Sequence, residues 1–245
     1  MLLEVEGFIM NEVSYGETSK IINVFTKEYG IVGIMCKGAK SLKNKYRALT
    51  LKLTYAKFNI YYKKDKLSTF VSADVINPLI NIHQDIELIS YLSYLVDLTS
   101  QVLKESVNYQ QIYDDFINVV LKIENGLDPL VLTNILEIKF LQPLGVGLNL
   151  DSCVSCGRKN KIVSISYNKG GFLCCDCLGN EKRMDVKVIK MMRLYYYVDI
   201  KSINSLNVLD DIKYQINYFL DVFYDNYTSL YLKSKEFLKQ FINVK

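Results

Sequence analysis

The 245-residue sequence predicts an α+β multidomain protein, in which a small N-terminal β-barrel precedes an α-helical domain that carries a cysteine-bearing insert. Three observations carry this expectation. Up to about Val75, short apolar and β-branched runs alternate with turn residues. Beyond Asn77-Pro78, apolar residues recur at helical spacing. Four of the six cysteines then fall into two Cys-x-x-Cys pairs. The expected boundaries are a barrel over 1–78, a first helical part over 79–150, the insert over 151–180 and a second helical part over 181–245.

The strands come first. Leu3 and Val5 alternate with Glu4 and Glu6, the runs KIINVFT and GIVGIMC are joined by the turn-like KEYG, and STFVSADV closes the set. Between them lies a stretch whose apolar residues fall on odd positions (Leu49, Leu51, Leu53, Tyr55) and then on even ones (Phe58, Ile60, Tyr62). Side chains alternate strictly between the faces of a strand, so this slip predicts a β-bulge near Ala56 and Lys57 in one long strand. In that register Lys57, Asn59, Tyr61 and Lys63 point outward. Asn77-Pro78 ends the sheet, because proline has no N–H to donate and keeps the residue before it out of the helical region.

Helical periodicity follows over 82–106 and 109–124, the latter ending at Gly126. Asp128-Pro129 supplies an N-cap and a first-turn proline for a helix to about Leu144. Periodicity resumes over 185–243. No apolar run approaches the roughly 20 residues of a membrane span, and MLLEVEGF has acids where a signal peptide needs bases, so a cytoplasmic protein without membrane attachment is expected.

Charge is unevenly distributed. The net charge is +4, yet residues 37–66 hold ten bases and one acid, Asp65, leaving −5 for the remainder. A segregated basic segment repels itself unless a polyanion relieves it. The same segment opens with GIMCKGAKS, which fails as a nucleotide-binding P-loop: Ala39 separates Gly38 from Lys40, and the basic SLKNKYRAL that follows lacks a helical apolar stripe. The candidates for phosphate contact are therefore Lys37, Lys40, Lys43, Lys45 and Arg47, with Tyr61 as an outward aromatic suited to base stacking.

Cys153, Cys156, Cys174 and Cys177 form C-x2-C-x17-C-x2-C, the spacing of a four-thiolate zinc site. Four thiolates leave no open coordination position, so the expected Zn2+ is structural. Cys175 is set aside because pairing it with Cys177 would give the poorer chelating turn Cys-x-Cys. Arg158, Lys159 and Lys161 offer a further nucleic-acid contact on the insert. His83 is the only histidine and stands at a helix start, where a capping or packing role outweighs a catalytic one. With no other catalytic constellation, no enzyme is expected.

The stretches EGFIMNEVSYGETSKIINVFTKEYGIVGIMCKGAK (6–40), LEIKFLQPLGVGLNLDSCVSCG (136–157) and GGFLCCDC (170–177) resemble the RecO family of bacterial recombination mediators. The resemblance implies an oligonucleotide-binding (OB) barrel, a helical domain and a zinc insert. It also implies a nucleoid-associated DNA repair and recombination protein that binds single- and double-stranded DNA without sequence specificity and anneals complementary strands without ATP. The implied partners are RecR, the C-terminal tail of single-strand binding protein, and RecF, in loading recombinase onto coated DNA. The basic run after Lys37-Gly38-Ala39 is sparser than the family's. A protein-interaction scaffold with structural zinc and no direct DNA role is the alternative.

Overall fold

The computed structural model describes residues 1–106 and 108–242. The end of the helical stretch expected to reach residue 243 lies outside the described residues. Two compact units are formed, one by Met1–Glu124 with Ser234–Lys245 and the other by Asn125–Lys233.

The first unit opens with β1 (Leu2–Tyr15), β2 (Ser19–Thr26), β3 (Gly30–Cys36), β4 (Tyr55–Tyr61) and β5 (Ser68–Asn77). They close into a barrel in the order β1-β2-β3-β5-β4, with β3 and β5 parallel and every other pair antiparallel. Such a closed five-stranded barrel is of the OB type, and closure leaves no sheet edge exposed. One strand serves two neighbours: the first half of β1 pairs with β4 and the second with β2, with a register shift between Ile9 and Asn11 where the strand bends. Gly7 lies where β1 pairs with both neighbours, and a Cβ there would collide with Val24.

Even-numbered Ile22, Val24, Val32, Ile34 and Cys36 face the interior with Val5, Ile9, Phe58 and Ile60. Each large apolar side chain buried this way contributes roughly 1.5–3 kcal/mol. Phe8 and Phe25 face the other way and are buried too, because α3 (Tyr109–Glu124) packs on them through Phe116 and Tyr113 at ring distances of 5.1 and 5.2 Å. Glu6 fastens the same seam, its Oε1 accepting hydrogen bonds from the Tyr55 hydroxyl at 2.5 Å and the Tyr113 hydroxyl at 3.0 Å.

The long fourth strand with an internal bulge is not what forms. β4 begins only at Tyr55; Ala48–Thr50 is a 3-10 turn, and Leu53 has a left-handed φ of 68°, which no strand accommodates. The odd-numbered leucines belong to a folded segment over the barrel end, where Leu49 packs on the core. The extra residues sit in β5 instead, since Tyr55 and Ala56 pair with Asn77 and Val75, and Asn59 and Ile60 with Ser72 and Phe70. Lys57 and Tyr61 are exposed, as the alternation within β4 predicts.

The helical stretch from 82 is split. α1 (Ile80–Gln84) ends at Asp85, whose extended backbone and side chain cap α2 (Ile86–Glu105) by accepting from the N–H groups of Glu87 and Leu88. Glu124, buried at the end of α3, accepts from the N–H groups of Asn81 and Ile82 and so satisfies the first turn of α1. The unit is completed by α7 (Lys233–Ile242), whose Lys235 ammonium lies 4.5 Å from the ring centre of Tyr94.

The second unit is built round α4 (Pro129–Leu141), buried on nearly every side, as a helix apolar all round must be. Asp128 caps it through Val131 N–H at 3.0 Å and also holds Lys213 at 2.8 Å, while burial opposes and the Asp128 and Asp210 carboxylates outweigh it to raise the Lys213 pKa. α5 (Val186–Tyr197) and α6 (Asp210–Tyr227) pack against α4, and the cysteines flank the hairpin of β6 (Ile162–Ser166) and β7 (Gly171–Cys174), with Cys153 and Cys156 before it, Cys174 at its end and Cys177 just beyond. Among the described residues no helix is long and apolar enough to cross a membrane.

Candidate nucleic-acid interface and metal centre

The basic segment between β3 and β4 is held by its own polar and aromatic contacts. Lys40 N–H donates to Thr18 O at 2.8 Å and Gly38 N–H to Ser19 Oγ at 3.2 Å, which pins the segment to the β1–β2 turn. Asn44 ties it internally, donating to Gly38 O and accepting from Tyr46 N–H. Tyr46 meets Phe70 edge-on at 5.3 Å, and the Thr50 hydroxyl donates to Tyr46 O at 3.0 Å. With Ala39, Thr50 and the Leu49 side chain turned inward, the charged residues are left facing water.

Lys37, Lys40, Lys43, Lys45 and Arg47 are all exposed, and none has a carboxylate within ion-pair distance among the described residues. Lys45 leans over its neighbour, with its ammonium 4.8 Å from the Tyr46 ring centre. Other bases of the barrel differ: Lys57 pairs with Glu4 at 3.3 Å, and Lys20, only 6% exposed, pairs with Glu12 at 2.6 Å. Burial pushes the Cys36 thiol up to about 12, against the opposing charge of Lys20, as befits a core residue.

Tyr61 is 53% exposed at the end of β4, paired with Thr69 of β5, which pairs with Met35 of β3. Lys37 continues the outward side of β3 beyond Met35, so Tyr61 and Lys37 share the outer barrel surface. Nearby, the β4–β5 loop and β3 bound a groove of about 390 Å³ that includes Tyr29, Gly33, Tyr62, Lys63 and Lys66. Sequence reading passed over Tyr29 and Tyr62, because KEYG registers as a turn and Tyr62 as an inward residue; only the loop that folds back between β4 and β5 brings them together.

The cysteines converge as their spacing predicts. One ligand atom from each of Cys153, Cys156, Cys174 and Cys177 lies within 4.8 Å of the others, and the Cys156 and Cys174 sulfurs are 3.6 Å apart. A tetrahedral ion with metal–sulfur bonds of about 2.3 Å spaces its thiolates by about 3.8 Å, so these residues fit a four-thiolate site. The first turn is tight because Gly157, at φ 74°, donates its N–H to Cys153 O at 2.8 Å. Burial opposes ionisation of Cys153, yet backbone N–H groups of Cys174, Ser155 and Cys156 override it and hold the thiol at about 6. Cys175 points elsewhere, its thiol donating to Asp176 Oδ1 at 3.2 Å.

Of Arg158, Lys159 and Lys161, two are compensated: Arg158 is paired with Asp176, and Lys159 with Asp151 at 3.0 Å. His83 is exposed in the last turn of α1 and borders a shallow apolar groove with Leu51 and Val75, so it is neither packed nor an N-cap.

The chain was compared with known proteins. The family model described as Recombination protein O N terminal matches residues 1–79, and that described as Recombination protein O C terminal matches residues 83–236. The chain belongs to the RecO family. The DNA repair protein RecO of Halalkalibacterium halodurans is 31% identical over 243 residues, spanning 98% of this chain and 95% of the relative. That of Bacillus cytotoxicus is 32% identical over 243 residues, with 98% of each covered, and that of Bacillus pumilus 29% over 248 residues, with 100% and 96% covered. The barrel and the four-cysteine cluster thus occur in the parts matched by the N- and C-terminal family models respectively.

Proposed function

We propose that the protein is a DNA repair and recombination mediator that binds single- and double-stranded DNA through the barrel, without reading sequence, and anneals complementary strands without ATP. The observation that carries this reading is five exposed bases without carboxylate partners on one segment clamped over an OB-type barrel. Lys37, Lys40, Lys43, Lys45 and Arg47 replace cations condensed on phosphate, and release of those cations drives binding. Neutralising two strands at once lowers the repulsion between them, and base pairing supplies the rest, so no catalytic group is called for. Tyr61 stacks on an unpaired base beside them.

In this reading RecR and RecF are the protein partners in the cytoplasm at the nucleoid, and recombinase loading onto coated DNA is the outcome, as family membership suggests. The acidic tail of single-strand binding protein is the third partner in this reading, and Lys187 and Lys190, exposed on α5 and one turn from Met191 and Leu194 of a pocket of about 430 Å³ with apolar and polar lining, are the bases assigned to it. The four thiolates hold one structural Zn2+ that organises the hairpin; when bound, the ion supplies cross-linking and no chemistry.

The test replaces all five bases by Glu and measures DNA binding, then annealing of strands precoated with single-strand binding protein, with and without RecR. A variant with unchanged thermal unfolding should lose both activities. Wild-type binding and annealing by that folded variant would overturn the assignment.

A further inference from the structure

We infer that the groove between β3 and the β4–β5 loop holds one unpaired nucleobase of a single strand against the Tyr29–Tyr62 ring pair, and that this lets the protein distinguish single strands from duplex. The inference deepens the DNA-binding reading and rests on it.

Four features of the groove point to such a ligand. Its volume of about 390 Å³ falls in the ~300–1,000 Å³ range of small-ligand sites. The Tyr29 and Tyr62 rings lie 4.8 Å apart with planes at 37°, both line the groove, and Tyr29 is 40% exposed, so aromatic surface is accessible there. Base–aromatic stacking suits any base, because every base has a π-face. Gly33 lies along the groove without a side chain, and the Leu67 side chain of the loop packs where a Cβ would come within 2.9 Å of its Cδ2. Lys63, Lys64 and Lys66 are exposed on the same loop against the one acid Asp65, which also borders the groove.

The groove and the basic segment adjoin opposite ends of β3's outer side. Gly33 and Met35 lie on one side of β3 and Lys37 follows just beyond its end, and four extended residues span about 13 Å. A single strand with a base against Tyr29 therefore reaches Lys37 along one strand face, with Lys63 and Lys66 beside the phosphates next to the inserted base. A duplex cannot use the same contact. Its bases are paired and stacked, so none offers a free face to a recess without leaving the helix.

The experiment measures anisotropy of a labelled oligothymidylate and of a labelled hairpin duplex at one salt concentration, with wild type, Tyr29→Leu and Tyr29→Phe. Tyr29→Leu should weaken single-strand binding about tenfold and leave duplex binding within about twofold, and Tyr29→Phe should restore the single strand, given the strength of one base stack. Equal effects of Tyr29→Leu on both ligands, or none on either, would overturn the inference while leaving the DNA-binding reading intact. A wild-type protein that binds neither ligand would remove that reading itself. Photocrosslinking of a 5-iododeoxyuridine strand to wild type needs no variant: adducts at Tyr29 or Tyr62 support the groove, and adducts confined to residues 37–54 contradict it.

Discussion

Glu6 shows how one side chain can set a property of the barrel. Its carboxylate accepts from Tyr55 and Tyr113, hydroxyls that come from β4 and α3. Burial first raises both phenols above their usual range, followed by Glu6 for Tyr55 and by Tyr55 and then Glu6 for Tyr113. The folded protein holds these protons more tightly than the unfolded chain does, so their contribution to stability is complete below a pH of about 10 and is lost as pH rises past it. Tyr113→Phe should cost about 1.5–3 kcal/mol at pH 8, the value of a hydrogen bond to a charged group, and less at pH 10.8. Urea unfolding at the two pH values checks this, and an equal cost at both would refute it.

At the scale of elements, the cysteine hairpin was legible because its ligands are local pairs whose spacing is itself the signal. The choice of Cys174 and Cys177 over Cys175 followed from turn chemistry, and the thiols converge accordingly. We predict about one Zn2+ per chain by elemental analysis, retained in Cys175→Ser and lost in Cys177→Ser; a variant pair that behaves alike would contradict the proposed site. Strand β1 was legible from alternation, and β2, β3 and β5 as short runs set off by turn residues. The start of β4 was not, because a 3-10 turn with Leu49, Leu51 and Leu53 imitates strand periodicity while the left-handed backbone at Leu53 goes unseen in composition. The break at Asp85 escaped for a related reason: an N-cap inside a continuous apolar period looks like one exposed acid. The Tyr29–Tyr62 groove depends on the parallel contact of β3 with β5, a long-range pairing that no window of sequence contains.

For the whole molecule, the decisive property is the segregation of charge. Ten bases against one acid in residues 37–66, within a chain of net charge +4, form a cationic field because their segment is folded outward over a closed barrel. Pairing removes Lys57, yet the five bases proposed to contact phosphate keep their full charge for a ligand. Sequence alone supplied the charge; the fold supplies its presentation. The most direct measurement is the salt dependence of affinity for single-stranded DNA, in wild type and in a variant with Lys37, Lys40, Lys43, Lys45 and Arg47 all replaced by Gln. Five phosphate contacts at about 0.7 counterion each predict a log–log slope steeper by about 3.5 in wild type than in the variant. Equal slopes in the two folded proteins would contradict the account.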